Sequence, residues 1–282
     1  MVRFPGNDEL PPLGLGTWRM GEAPARRKRE VAAVRAALEI GWRAIDTAEM
    51  YGDGGAEAVV GEALAAALRT GAVARDELFI VSKVYPHNAG ARTAVAACER
   101  SLSRLGLDHL DCYLLHWRGS VPLAETVDAF ERLRERGRIR HWGVSNFDVA
   151  DLEELFAVPG GERCATDQIY YSLSSRGPGF DLVPWLQERG VATMAYSPID
   201  QGALAADKAL AAIAERRGFT AAQLALAWLI AQPGVMAIPK ATSEAHLREN
   251  LAARDIVLDD AERAAIDRAF PPPRRKTPLT MI

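Results

Sequence analysis

Four residues of this 282-residue chain are of the types that place a proton on a carbonyl oxygen: Asp46, Tyr51, Lys83 and His116. Three of them close short hydrophobic runs, Arg43-Ala44-Ile45-Asp46, Phe79-Ile80-Val81-Ser82-Lys83 and Tyr113-Leu114-Leu115-His116, and Tyr51 follows the first run by a few residues. An unpaired charge at the end of a core strand is costly. Titratable groups at successive strand ends therefore read as one mutually satisfying set. A tyrosine hydroxyl, with an ordinary pKa of about 10, is a sluggish acid at neutral pH. A nearby ammonium lowers that value, so Lys83 is expected to tune Tyr51, with Asp46 holding Lys83 in place. His116 can donate a hydrogen bond to a carbonyl oxygen. Any one of these residues alone is more often structural. Four compatible types at four expected places point to a proton donor aimed at a carbonyl, which is half of a carbonyl reduction. The hydride must come from a cofactor.

The elements that position this set repeat one unit: an apolar run, a loop, then an Ala/Leu-rich amphipathic stretch. Strands are predicted to end near Gly16, Asp46, Lys83, His116, Ser145, Gln168, Tyr196 and Lys240. Helical patterns span Val31 to Ile40, Ala56 to Leu68, Thr93 to Leu105, Leu123 to Arg136, Leu210 to Arg217 and Ala221 to Ala231, with Val95, Cys98, Leu102 and Leu105 on one stripe of the third. Alternation implies a parallel sheet, and eight units without a composition break predict closure into a (β/α)8 TIM barrel, a single α/β domain over residues 1–282. An N-terminal β-hairpin from Val2 to Pro11 is expected to plug its lower end. The Pro271-Pro272-Pro273 segment ends helical structure and starts a short C-terminal tail. An open Rossmann sheet fits less well. Gly14-Leu15-Gly16 begins such a fingerprint, but Arg19 stands where its third glycine belongs.

Composition bounds the partners. A net charge of -3 argues against nucleic acid, and the run Arg26-Arg27-Lys28-Arg29 reads as the solvated start of a helix. No apolar stretch approaches the ~18 residues of a membrane span, and the N-terminus lacks a signal-peptide core. The three cysteines, Cys98, Cys112 and Cys164, are odd in number and set among apolar residues, so they read as reduced core thiols. A cytoplasmic, monomeric protein acting on a small molecule is the expectation.

The chain resembles the aldo-keto reductases, from Gly14-Leu15-Gly16-Thr17-Trp18 to Glu249-Asn250. The blocks that carry the likeness include Gly41-Trp42-Arg43-Ala44-Ile45-Asp46-Thr47-Ala48, Tyr51-Gly52, Leu107-Asp108-His109-Leu110-Asp111, Leu114-Leu115-His116-Trp117, Gly143-Val144-Ser145-Asn146-Phe147 and Ile238-Pro239-Lys240. The resemblance implies that Asp46, Tyr51, Lys83 and His116 form a catalytic tetrad working with NADP(H). It implies that Ser145, Asn146 and Gln168 hold the nicotinamide carboxamide, with Tyr196 stacked on the ring and Thr17, Trp18 and Asp46 beside it. Ser197 and Ile199 would follow the pyrophosphate. Lys240, Thr242 and His246 would meet the adenosine 2′-phosphate, and Glu249 and Asn250 the adenine. His246 stands where many members carry arginine, and Arg248 is two residues away. Ala241 replaces a common hydroxyl. These departures imply a smaller preference for NADPH over NADH than the full clamp gives.

Trp18, Tyr85, His116 and Trp117 are expected to ring the substrate, and brief loops and a brief tail suggest an open pocket. The run from Asp46 to Tyr51, with Lys83-Val84-Tyr85-Pro86, resembles bacterial members that reduce methylglyoxal and similar small aldehydes. The segment from Tyr51 to Glu57 is longer than the family spacing, and its glycines are expected to absorb the excess as a turn. Two other readings compete: a cofactor-binding regulatory or redox-sensing subunit on the same fold, and a metal-dependent hydrolase. The second needs a His and carboxylate cluster at the strand ends, and the sequence has no HxH pair.

Overall fold

Short apolar runs alternating with Ala/Leu-rich stretches become eight parallel strands with helices between them. The computed structural model describes residues 1–282, apart from the side chain of Asn7. In chain order the elements are β1 (Val2–Arg3), β2 (Glu9–Leu10), β3 (Gly14–Gly16), α1 (Arg27–Glu39), β4 (Ala44–Asp46), α2 (Gly55–Thr70), β5 (Phe79–Val84), α3 (Thr93–Leu105), β6 (Leu110–Leu115) and α4 (Leu123–Glu135). They continue with β7 (Ile139–Ser145), α5 (Val149–Phe156), β8 (Thr166–Tyr170), α6 (Leu182–Glu188), β9 (Ala192–Tyr196), α7 (Lys208–Glu215), α8 (Ala221–Ile230), β10 (Val235–Ile238), α9 (Glu244–Ala252) and α10 (Asp260–Ala269).

Strands β3 to β10 pair in sequence order, all parallel. The sheet closes where Leu13 bridges Ala237, the Ala237 amide donates to Pro12 O, and the Gly16 amide donates to Pro239 O. This is the expected (β/α)8 barrel. β1 and β2 form the antiparallel hairpin, with Val2 opposite Leu10. Val2, Phe4 and Leu10 cluster with Ala44, Phe79, Val81, Cys112, Leu114 and Met194, so the hairpin seals the interior from below and leaves the strand C-termini open.

Most strand ends lie within a residue of their expected places. β8 runs two residues past Gln168 to Tyr170. β10 stops at Ile238, short of Lys240, because Pro239 has no amide to continue the ladder. The six expected helices form, and α5, α6, α9 and α10 lie outside the expected patterns. α3 buries Ala94, Ala97, Cys98, Ser101, Leu102 and Leu105, the three-to-four spacing of one face. α1 begins at Arg27 because a helical turn over Pro24–Arg26 leads into it, with Arg26, Lys28 and Arg29 exposed as expected of a solvated start. Side-chain caps fix other starts: Asp148 for α5, Thr220 for α8 and Asp259 for α10. The three cysteines are free and buried. No helix is long and apolar enough to cross a membrane.

One core residue carries a cost. On β8, Gln168 faces the barrel axis, so its neighbour Asp167 faces the helices. It is fully buried, with the Phe147 amide donating to Oδ1 at 3.5 Å and Oδ2 unpartnered among the described residues. Burial, opposed by that amide and reinforced by Asp151 and Asp148, pushes the carboxyl well above its ordinary 3.8. Between 3.8 and the raised value, the folded chain holds a proton that the unfolded chain has released. Stability therefore falls as pH rises through that window. Asp167→Asn keeps the acceptor and removes the ionisation. It should raise Tm by about 2–4 °C near neutrality, the shift that roughly 1 kcal/mol gives in a chain of this size, and the gain should shrink as the pH is lowered. Thermal melts across the acid range check this; a lower Tm at every pH would count against it.

Candidate active site

The centre of the site is an ammonium without access to water. Lys83, second from the end of β5, is 0% exposed. Its three protons have three acceptors: Asp46 Oδ2 at 2.8 Å, Thr47 O at 2.9 Å and Tyr51 Oη at 3.3 Å. Asp46, the last residue of β4, is held on its other oxygen by Gln168 Nε2 at 2.8 Å, reaching across the barrel from β8. Beneath it, Thr17 donates to Asp46 O at 2.9 Å. Tyr51 accepts from Lys83, and its own proton has no acceptor among the described residues.

The extra residues after Tyr51 form the expected turn. Gly52, Asp53 and Gly54 all adopt positive φ (61°, 52° and 83°), and a Cβ at Gly52 would lie 2.9 Å from the Gly21 backbone. Glycine is therefore required there for both conformation and space.

Burial decides the protonation states. It pushes the Tyr51 phenol above its ordinary 10.0; Lys83 pulls the other way without prevailing, and Asp46 adds to the rise. The expectation that Lys83 leaves Tyr51 with a lowered pKa is thus corrected: desolvation of the phenolate outweighs the ammonium, and Tyr51 keeps its proton at neutral pH. For Lys83, burial works downward, but Asp46 and Tyr51 overcome it and raise the value above 10.5. His116 is pushed well below 6.5 by burial, with Lys83 adding to the effect, so its imidazole is neutral. Its ring lies 5.8 Å from that of Tyr51 and 5.0 Å from Trp117, centroid to centroid.

These groups open into a cavity of about 720 Å³ at the C-terminal face of the barrel. Asp46, Tyr51, His116, Trp18 and Trp117 belong to its lining. Ser145, Asn146, Gln168 and Tyr196 line it too, Gln168 bonded to Asp46 and Asn146 to His116 O, as do Ser197, Ile199, Lys240, His246, Glu249 and Asn250. The first four of these are held together: Ser145 Oγ donates to Gln168 O, Asn146 Nδ2 to His116 O, and Tyr196 Oη to Asn146 Oδ1 at 2.9 Å. Asn146 holds this position with a φ of 61°. Four expected residues lie outside the lining: Lys83, sealed behind Asp46 and Tyr51, and three others. Thr17 is buried beneath Asp46, Thr242 is half-buried on the loop before α9, and Tyr85 packs edge-on to Trp117 at 5.9 Å, behind the wall it was expected to form.

The aldo/keto reductase family model matches residues 12–270. The chain is 51% identical to "Methylglyoxal reductase YeaE" of Escherichia coli over 100% of its own length and 99% of that protein's, and 35% identical to "Glyoxal reductase" of Bacillus subtilis over 94% and 91%. A crystal structure of an aldo/keto reductase from Klebsiella pneumoniae in complex with NADP and acetate superposes with a TM-score of 0.94 at 51% identity, covering 100% of this chain and 99% of that one. The chain belongs to the aldo/keto reductase family.

In this aldo/keto reductase, several cavity residues had no signal in the sequence. Arg19 lines the cavity with a left-handed backbone (φ 64°), its guanidinium 4.5 Å from the centroid of the Trp18 ring. Neither Arg19 nor Lys240 has an ion-pair partner among the described residues. Burial lowers the Lys240 pKa, with Glu30 opposing and Arg26 and Arg19 reinforcing the shift. Arg248 pairs with Glu244 at 2.6 Å on the exposed surface of α9 and does not line the cavity. Met50 also lines the cavity, and so do Met281 and Ile282. The tail, though brief, is pinned where Lys276 bridges Asp148 and Asp181, both at 3.1 Å, and it then reaches over the mouth. The expected open pocket is therefore partly roofed.

Removing the ammonium should be costly. Lys83→Met leaves Asp46 buried with a charge and one fewer partner, and breaking such a pair on one side costs roughly 3–5 kcal/mol. Because the folded pKa of Lys83 is raised, this stabilisation is fully present below 10.5 and is lost as pH rises through the folded value. The Tm gap between wild type and variant should be wide at neutral pH and narrow in strong alkali. Equal melting temperatures at pH 7 would contradict the pairing.

Proposed function

We propose that this aldo/keto reductase reduces small aldehydes and ketones, methylglyoxal among them, to alcohols, with NADPH as the reductant and Tyr51 as the proton donor. The observation that carries the reading is the chain Gln168–Asp46–Lys83–Tyr51. It ends on a phenol whose proton is free and faces a cavity beside a neutral imidazole. The names of the relatives from Escherichia coli and Bacillus subtilis support the dicarbonyl class, and the NADP of the Klebsiella complex supports the cofactor.

The cavity fits a dinucleotide. Its volume is far more than a three-carbon dicarbonyl fills and lies within the range of sites for larger ligands. Ser145, Asn146 and Gln168 would hold the nicotinamide carboxamide, and Tyr196 would support the ring. Ser197 and Ile199 would follow the pyrophosphate, with Glu249 and Asn250 near the adenine. Arg19 and Lys240, neither ion-paired to a carboxylate, would meet phosphate, and a bound anion would offset the repulsion between them. When bound, the cofactor supplies the hydride for the carbonyl carbon.

The chain's own residues do the rest. His116, neutral, donates a hydrogen bond that polarises the carbonyl oxygen. Tyr51 passes its proton from Oη to that oxygen as charge develops there. Lys83 then stabilises the phenolate, and Asp46 keeps Lys83 charged and oriented. Trp18, Trp117 and Met50 exclude water, which strengthens each of these interactions. Short walls and the roofing tail leave little apolar area for a large ring system, at ~25 cal/mol per Å² buried. A single-domain, monomeric, cytoplasmic enzyme is part of the same proposal, in keeping with buried reduced thiols.

NADPH oxidation with methylglyoxal, an aromatic aldehyde and a bulky ketosteroid tests the reading. Wild type should turn over the first two and favour NADPH over NADH. Tyr51→Phe should lose about 10²–10⁴-fold in kcat while still quenching with NADPH, since only the proton donor is removed. A Phe variant keeping more than about a tenth of kcat would assign the acid elsewhere, and a steroid preferred over methylglyoxal would overturn the substrate class.

A further inference from the structure

Glu57 is a fully buried carboxylate that takes no part in the cavity. It lies in the first turn of α2, six residues after Tyr51. Oε1 accepts from Ser82 Oγ at 2.5 Å, and Oε2 accepts from Arg104 Nε at 2.6 Å. Ser82 immediately precedes Lys83 on β5. Successive strand residues face opposite ways, so Ser82 points to the helices while Lys83 points to the barrel axis. Arg104, near the end of α3, lies directly over Gly54: a Cβ there would sit 2.5 Å from the guanidinium Nε. Gly54 closes the left-handed turn that follows Tyr51, and Tyr51 O accepts from the Ala56 amide at 3.0 Å within it.

We propose that Glu57 and Arg104 form a clamp that sets the distance between Tyr51 and Lys83, which makes both of them positioning residues for the proton donor. The proposal rests on the reading of Tyr51 given above. The clamp joins the two carriers of the pair. Through Ser82, Glu57 fixes β5 and hence Lys83. Through Arg104 and Gly54, it fixes the turn that aims Tyr51. Neither partner has slack, because α2 and α3 touch backbone to backbone: a Cβ at Gly61 would meet Arg104 O at 2.3 Å. The other titratable groups near Glu57 are Cys98 and Tyr113, both pushed up by burial, the former to about 12, so they carry no charge at neutral pH. Arg104 is therefore its one counter-charge, and a buried carboxylate stripped of its partner is strongly disfavoured.

Tyr51 is faced by Lys83 of β5, Asp46 of β4, His116 after β6 and Tyr196 of β9. Of these, only Lys83 favours the phenolate. If the clamp loosens, Oη drifts from Nζ, and burial acts with less opposition. Misplacement of a reacting group by about 1 Å can cost ~10²-fold in rate. Two effects then appear together: kcat falls, and the pH above which reduction declines moves upward.

The test uses the full chain with saturating NADPH and methylglyoxal. Arg104→Ala should lower kcat about tenfold or more and shift the basic limb of the kcat profile to higher pH, with NADPH Kd changed less than about twofold. Arg104→Lys, which restores the charge, should recover much of both. Ser82→Ala keeps the ion pair and breaks only the link to β5. It should show a smaller change of the same kind, and it decides the matter if Arg104→Ala does not fold. A variant that melts earlier but keeps the wild-type kcat and pH profile overturns the clamp. Tyr51→Phe, assayed beside them, separates the two ideas. If it is inactive while Arg104→Ala and Ser82→Ala behave as wild type, only the clamp fails. If it is active, the proton-donor reading fails, and the clamp with it.

Discussion

A lysine ammonium that cannot reach water must be fully satisfied by the protein around it, and in this barrel the strand ends are arranged to that purpose. Lys83 directs one proton to a carboxylate, one to a main-chain carbonyl and one to a phenol. Each acceptor comes from the β4 strand or the loop that follows it, and β4 pairs with β5 so that Asp46 lies opposite Val81, two residues before Lys83. Gln168, from the far side of the barrel, prevents Asp46 from turning away. Closure of the sheet is thus part of the electrostatics. An open sheet would leave Asp46 without its amide donor and the ammonium partly wet.

From this constraint the cavity lining acquires two kinds of chemistry. Around Lys83, burial keeps Tyr51 protonated and His116 neutral, so the groups facing a carbonyl oxygen are donors that are not yet charged. Elsewhere in the lining, Arg19 and Lys240 are cations with no ion-pair partner among the described residues. The tail and the Ser197–Gly202 stretch add to the lining.

The barrel and the four catalytic candidates were legible because they depend on local pattern: an apolar run ended by a titratable residue, followed by a helical stripe. The turn after Tyr51 was legible too, since Gly52 and Gly54 announce positive φ. What the sequence hid depends on contacts between distant segments. Arg19 looked like a broken fingerprint and proved to be a cation stacked on Trp18. Tyr85 had the spacing of a wall residue, but it packs edge-on to Trp117 and does not line the cavity. The tail seemed too brief to matter, yet the bridge from Lys276 to Asp148 and Asp181 aims it at the cavity. The sign of the Tyr51 shift was hidden for another reason. Sequence shows that an ammonium is near, while the competing desolvation appears only once burial is known.

The protonation state of Tyr51 is the point on which the chemistry turns, and it can be read without turnover. With tyrosine carrying 13C at the ring carbon that bears the hydroxyl, the Tyr51 resonance is assigned by its loss in Tyr51→Phe and followed by NMR as pH is raised. Burial over a satisfied Lys83–Asp46 pair predicts a phenol signal throughout the neutral range, moving to the phenolate position only above 10.0. A phenolate signal at pH 7 would contradict it, because Lys83 would then be holding a spent donor in place of one still carrying its proton.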